Sequence, residues 1–158
     1  MFLRFSEWCY GLAMSQAFRD STYLFPLTQA LHLVAVTVFV GAIVIGDLRL
    51  LGWGAVGQSR ASIARSAQRI LLWAGLAVLV TGIPQFTTNA LTYQRSWLFI
   101  LKMYLLAVTL VFTATVRWRV AIAEEGRLPS WITRAVGAVS LTLWMAVTIS
   151  GRLITYYG

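Results

Sequence analysis

Two side chains that can carry charge stand inside long apolar stretches of this chain: His32, its only histidine, and Lys102, its only lysine. An imidazole can accept or donate a hydrogen bond or bind a haem iron, and an ammonium group donates to carbonyl or anionic oxygens. Ionisable groups at membrane depth are costly, so they usually face a protein interior and mark a functional site or an ion pair. The search for a function therefore starts at these two residues.

The apolar stretches themselves predict transmembrane helices. The chain has 158 residues, of which 59% are hydrophobic and 11% charged, a composition outside the soluble globular range. Four segments approach the ~20 residues that a helix needs to cross a hydrocarbon core of about 30 Å. The predicted spans are 26–46, 68–88, 97–118 and 131–153. We expect an all-α integral membrane protein, a four-transmembrane-helix antiparallel bundle in one domain, 21–158.

Residues 1–20 precede this domain and do not resemble a signal peptide, because Arg4 and Glu7 interrupt the apolar residues. Their spacing favours an amphipathic interfacial helix on the outer membrane surface.

The arginines orient the bundle. Eight of the twelve lie in, or within four residues of, the connection between the first two spans or the connection between the last two, and the net charge is +8. They are Arg49, Arg60, Arg65 and Arg69, and Arg117, Arg119, Arg127 and Arg134. The positive-inside rule then places both connections in the cytoplasm and both termini outside. The charge indicates topology and contact with anionic membrane lipids and gives little support to nucleic-acid binding.

With this orientation, three basic side chains share a layer near the outer ends of three different helices. His32 lies on the first helix, Lys102 on the third and Arg152 on the fourth, and Gln29 is one turn before His32. We expect these four residues to form the candidate cofactor-binding site. The alternatives are that the basic groups reach the interface while His32 bonds a neighbour, or that the layer docks a lipid or a partner protein.

The number of possible ligand residues limits which cofactor this layer could bind. A haem or a quinone fits a layer containing one histidine, but a six-coordinate haem would need Met103, Met145 or the His32 of a second chain. No other metal site is expected, because the chain has one histidine and one cysteine.

A second polar feature lies at the cytoplasmic end of the first span. Asp47 is within reach of arginines on the same and neighbouring helices, and partly buried charges are normally paired. We expect a structural ion pair among Asp47, Arg49, Arg69 and Arg117.

Three sequence runs carry a resemblance to a known family. They are QALHLVAVTVFVGAIVIGDLRLLG from Gln29, TGIPQF from Thr81 and WLFILKM from Trp97. The chain resembles a bacterial family of small four-helix inner-membrane proteins known only as a domain of unknown function. The resemblance implies a four-span bundle in the bacterial inner membrane with His32, Asp47, Arg49 and Lys102 at family-like positions, and it implies no activity.

The sequence indicates no paired carboxylates in a cleft, no phosphate loop, no cysteine–histidine cluster and no nucleophile with an adjacent base, so we do not expect an enzyme. The leading hypothesis is a non-catalytic accessory or anchor subunit of a larger, redox-linked membrane complex involved in electron transport. Its partners would be other membrane subunits or further copies of this chain. The alternative is a self-contained transporter or sensor of a small anion that uses the same cationic layer.

Overall fold

The structure, a computed structural model, describes residues 2–53, 57, 59–124 and 126–157. This part of the chain is helical and contains no strand. The helices are α1 (Phe2–Gly11), α2 (Ala13–Asp20), α3 (Leu24–Leu51), α4 (Arg60–Thr88), α5 (Ala90–Tyr93), α6 (Trp97–Phe112), α7 (Trp118–Ile122) and α8 (Ser130–Tyr157), with a π-helical turn, Thr113–Arg117, joining α6 to α7.

Four of the described helical segments are long and apolar enough to span a membrane: Leu24–Leu51, Arg60–Thr88, Trp97–Ile122 and Ser130–Ile154. This confirms the predicted all-α membrane fold. The first two membrane-spanning helices, α3 and α4, are longer than the predicted spans, since α3 continues to Leu51 and α4 begins at Arg60. The arginine-rich start of α4 forms helix outside the apolar segment because the Ser59 hydroxyl accepts a hydrogen bond from the Ser62 backbone N–H at 3.2 Å.

α3 is the helix around which the bundle packs. It contacts α4 on one side and α8 on the other, and α6 packs against α8. Small residues bring the backbones together, as at Gly75 of α4, where an added Cβ would lie 3.3 Å from the Phe39 ring of α3. The fourth side of the bundle differs, because α4 packs against α7 but not closely against α6.

The N-terminal segment forms two short helices, whereas the sequence pattern predicted one. The backbone is extended at Leu12, and α1 and α2 pack against α4 and α5. The Ser15 hydroxyl donates a hydrogen bond to the Cys9 carbonyl at 2.8 Å, so this carbonyl near the break between α1 and α2 has a hydrogen-bond partner. Large apolar side chains of the segment, such as Trp8, remain exposed on the other side.

A stack of aromatic rings joins these helices to the bundle. The Phe5 and Phe86 ring centroids are 6.4 Å apart, those of Phe86 and Phe99 are 5.5 Å apart, and those of Phe99 and Tyr93 are 5.1 Å apart. Burial raises the pKa of the Tyr93 phenol. The stack connects α1, α4, α5 and α6 at one end of the bundle, which we call the His32 end. The opposite end is the Asp47 end.

Candidate functional site: two polar layers

His32 faces α4 at the His32 end. Its Nδ1 lies 2.8 Å from the Thr81 hydroxyl oxygen. Gly82 leaves the space that the ring occupies, since a Cβ there would lie 3.1 Å from the imidazole Cε1. The ring is therefore held against one turn of α4.

The Thr81 hydroxyl determines which imidazole nitrogen carries the proton in neutral His32. That hydroxyl has one proton, and it donates it to the Ala77 carbonyl at 2.6 Å. While the hydroxyl keeps that bond it accepts from the imidazole, in the tautomer with the proton on Nδ1 and the lone pair on Nε2. Nε2 is thus the atom that can accept a hydrogen bond or bind a metal.

Lys102 lies across the bundle on α6. Its Nζ and Cε lie 3.5 and 3.4 Å from the position that a Gly151 Cβ on α8 would occupy, so this glycine provides the space for the ammonium group. Lys102 and His32 both lie at the His32 end of the bundle, on α6 and α3 respectively. Among the described residues, no carboxylate forms an ion pair with either side chain. The two groups therefore form a basic layer, which we call the His32–Lys102 layer.

The other two predicted members of this site are less closely associated with it. Arg152 follows Gly151 on α8, but its side chain is exposed on the outside of the bundle. Gln29 is half-buried one turn before His32, and its side chain forms no hydrogen bond with His32. The structure therefore places His32 beside Thr81 and Lys102 beside Gly151, at the same end of the bundle.

The methionines that could complete a haem site within one chain point away from it. The Met103 side chain is 47% exposed and that of Met145 is 51% exposed, both on the outer surface of the bundle. The part of the chain that the structure describes contains no group of three His, Cys, Asp or Glu side chains able to hold a metal ion.

The Asp47 end contains a buried ion pair between α3 and the π-helical turn. The Arg117 Nε donates to Asp47 Oδ1 at 2.6 Å, and the exposed fractions of the two side chains are 6% and 0%. Arg117 Nη2 also donates to the Ile43 carbonyl at 3.2 Å. Asp47 follows His32 by 15 residues, so the two polar layers are about 22 Å apart along the helix.

The π-helical turn brings Arg117 to the buried face of its helix. Thr109 is fully buried, and two regular α-helical turns, or about 7.2 residues, would place Val116 on the same face. The wider turn contains one more residue, so that Arg117 is 5% exposed while Val116 is 43% exposed. The Trp144 indole N–H stabilises the turn by donating to the Thr113 hydroxyl at 3.2 Å.

Two glycines make this ion pair possible. A Cβ on Gly46 would lie 2.6 Å from Arg117 Nη2, so the guanidinium occupies the space that a side chain would fill. A Cβ on Gly137 would lie 3.0 Å from the Asp47 carbonyl oxygen, so α8 approaches α3 closely at this level. At the end of α3, Gly52 adopts φ +89°, and the Trp53 N–H donates to the Leu48 carbonyl at 2.8 Å.

Of the arginines predicted to surround Asp47, the structure pairs Arg117 with it. Arg69 is exposed on α4 and forms no ion pair with Asp47, whereas Arg49 is half-buried two residues before the end of α3. Ser140 of α8, which no sequence pattern indicates, is fully buried beside the carboxylate. Neither Ser140 Oγ nor Asp47 Oδ2 has a well-formed hydrogen bond. A serine in an apolar helix is too common to indicate such a position from sequence.

Four apolar helices with one polar layer at each end define a multi-pass helical membrane protein. The match that identifies the family covers residues 7–157, nearly the whole chain. The protein belongs to the family of unknown function DUF6644, and the match includes the fourth helix, to which the sequence runs quoted above do not extend. No curated protein and no solved structure matches the chain.

Proposed function

We propose that this chain is a non-catalytic accessory or anchor subunit of a larger, redox-linked membrane complex, with the His32–Lys102 layer as its contact with a cofactor. The observation that carries the proposal is the juxtaposition of His32 and Lys102. They come from opposite sides of the bundle and have no carboxylate partner among the described residues. An ionisable residue within a membrane-spanning helix is a candidate functional residue by default.

The outer surface of the bundle is consistent with an anchoring role. Leucine, valine, isoleucine and tryptophan side chains are exposed along all four spans, and a lipid bilayer or other membrane subunits would cover them. We place the protein in the bacterial inner membrane, with the arginine-rich Asp47 end in the cytoplasm and both termini outside. The partners would be membrane subunits or further copies of this chain, together with membrane lipids.

The proposal is tested on protein extracted from its native membrane in a mild detergent. Absorption spectroscopy and mass spectrometry of intact complexes should show a redox cofactor or a redox subunit associated with the wild-type chain. His32→Leu should lose the cofactor while the bundle still assembles, because leucine suits a membrane helix. Thr37→Val is the matched control, since Thr37 lies on the same helix and its hydroxyl donates to the Leu33 carbonyl on the exposed face.

Two results would contradict the proposal. One is a wild-type chain that purifies without any redox group or partner from membranes in which it is abundant. The other is an identical cofactor and subunit content in wild type, His32→Leu and Lys102→Met. In the second case the layer would serve packing alone.

A further inference from the structure

A narrow cleft lies at the Asp47 end, where α3, α4 and α7 meet. It exists because residues with no side chain larger than a methyl group stand where the three helices converge. These residues are Gly46, Ala64, Ala67 and Ala121. The cleft is separate from the His32–Lys102 layer, which lies at the other end of the bundle.

One face of α4 lines this cleft over three helical turns. Arg60, Ala64, Ala67 and Leu71 follow one another at intervals of four, three and four residues, and this spacing keeps side chains on one face of a helix. From Arg60 to Leu71 the helix rises about 16.5 Å. All four residues are half-buried, so no neighbouring helix fully covers this face. The cleft therefore runs from a charged residue at the start of α4 toward the apolar part of the span.

The polar end of the cleft is basic. Its described lining residues include two arginines, Arg60 and Arg117, and no carboxylate. Asp47 neutralises Arg117 in the buried ion pair, so the excess positive charge comes from Arg60 and from exposed arginines at the same end. Those arginines are Arg65, Arg69 and Arg119. Because guanidinium groups bind phosphate oxygens through paired N–H donors, an anionic phosphate is the complementary group.

The local backbone and the remaining donors also favour a phosphate. Arg60 is the first residue of α4, and the N-terminal end of a helix attracts anions through its N–H groups. Arg117 donates from Nε to Asp47 and from Nη2 to the Ile43 carbonyl, and its third nitrogen, Nη1, carries two further N–H groups. Both arginines therefore have the chemistry to donate to a phosphate in the cleft.

The apolar length of the cleft distinguishes a phospholipid from a free phosphate ion. A free ion would occupy only the basic end and would gain nothing from the alanines and the leucine beyond it. An extended acyl chain is thin enough for a narrow cleft and would pack along Ala64, Ala67 and Leu71 through van der Waals contact. Trp118, half-buried beside the cleft, belongs to a residue type enriched where lipid head groups meet acyl chains.

We infer that the cleft between α3, α4 and α7 binds one anionic phospholipid, with its phosphate at Arg60 and Arg117 and one acyl chain along α4. Basic pockets between transmembrane helices on the cytoplasmic side are typical sites for anionic lipid head groups, and the topology that we propose places the Asp47 end on that side. The inference goes beyond the proposed function, because the His32–Lys102 layer takes no part in this site.

The experiment uses the purified full chain, delipidated in a mild detergent at physiological salt concentration. The protein is titrated with phosphatidylglycerol or with phosphatidylcholine of the same acyl chains, and mass spectrometry of the intact protein counts the bound lipids. An arginine near a membrane surface strengthens anionic-lipid binding by a factor of about five. The wild type should therefore bind one phosphatidylglycerol at least about fivefold more tightly than phosphatidylcholine, and Arg60→Gln should lose about that factor.

A second cleft variant tests the acyl-chain contact without changing the charge. Ala67→Leu fills the cleft with a larger side chain and should weaken the binding of phosphatidylglycerol. Two matched controls should bind this lipid as the wild type does. Arg69→Gln removes the same charge from an exposed position of α4, and Ala107→Leu adds the same side chain at an exposed position of α6.

Four results would overturn the inference. They are equal affinity of the wild type for the two lipids, unchanged phosphatidylglycerol binding in Arg60→Gln and Ala67→Leu, an equal loss in Arg69→Gln, and displacement of the lipid by millimolar inorganic phosphate. The last result would show that the cleft binds a free anion. The lipid preference and the phosphate competition are measured on the wild type, so they test the inference even if a cleft variant fails to fold.

Discussion

The buried ion pair between Asp47 and Arg117 is expected to be the largest single electrostatic contribution to the stability of the Asp47 end. Removing one member of a buried pair leaves the other charge without its partner, which typically costs about 3 to 5 kcal/mol. The exposed fractions of the Asp47 and Arg117 side chains are 0% and 6%, so this ion pair is a buried one. Arg117 keeps its hydrogen bond to the Ile43 carbonyl in the Asp47→Leu variant. We therefore expect this variant to lower the free energy of unfolding by about 3 kcal/mol, the lower end of that range.

A double-mutant cycle isolates the interaction. Arg117→Met alone should also destabilise the bundle by about 3 to 5 kcal/mol, since the buried carboxylate then loses its cationic partner. The double variant Asp47→Leu/Arg117→Met replaces both charges with apolar groups of similar volume, which is often close to neutral. It should therefore be less destabilised than either single variant.

The free energy of unfolding is measured by titrating SDS into protein in a mild detergent and following helical circular dichroism. Arg69→Met is the matched control, because this exposed arginine lies at the same end without contacting Asp47, and it should unfold with the wild-type midpoint. Additivity of the two single variants to within about 0.5 kcal/mol would show that the groups do not interact, and the reasoning would fail.

Three further predictions concern packing, topology and the π-helical turn. Gly46→Ala should destabilise the bundle by about 1 to 3 kcal/mol, because its Cβ would overlap the Arg117 guanidinium. Gly41→Ala, with nothing within 4 Å of its Cβ, should leave stability unchanged or raise it, as the same SDS titration would show. Single cysteines at Ser59 and Asn89, in a background without the native cysteine, should react with an impermeant thiol reagent from opposite sides of the membrane; labelling from one side would refute the proposed topology. Deleting Ala114 should preserve the ion pair and the SDS midpoint, because the shortened segment can form a regular α-helix with the same residues on the buried face; a loss of stability comparable to Asp47→Leu would contradict this.

The long helices could be predicted from the sequence because a bilayer requires about 20 consecutive apolar residues, and such segments stand out in any chain. Their ends were harder to predict. The apolar segment defines where the hydrocarbon begins, but α4 starts at Arg60 because capping by Ser59 extends the helix into a polar region. The break at Leu12 also escaped prediction, because amphipathic spacing continues across it and the break depends on packing against α5.

The candidate sites were partly predictable for a related reason. His32, Lys102 and Asp47 are rare residue types at membrane depth, so the cost of placing them there makes them conspicuous in the sequence itself. Their partners are not rare. Thr81 is one of several threonines on the spans, and only the contact between α3 and α4 distinguishes it from Thr37, which makes the same bond to its own helix but faces outward.

The choice among the arginines near Asp47 shows why helical periodicity alone could not identify its partner. A regular α-helix through the third span would turn Val116 inward with Thr109 and carry Arg117 about 100° away from that face. The extra residue in Thr113–Arg117 reverses this outcome, and its cost is offset by contacts on other helices, including the Trp144 hydrogen bond and the space beside Gly46. Because the π-helical turn and the ion pair each depend on the other's geometry, the position of Arg117 is a property of the assembled bundle and not of its own helix.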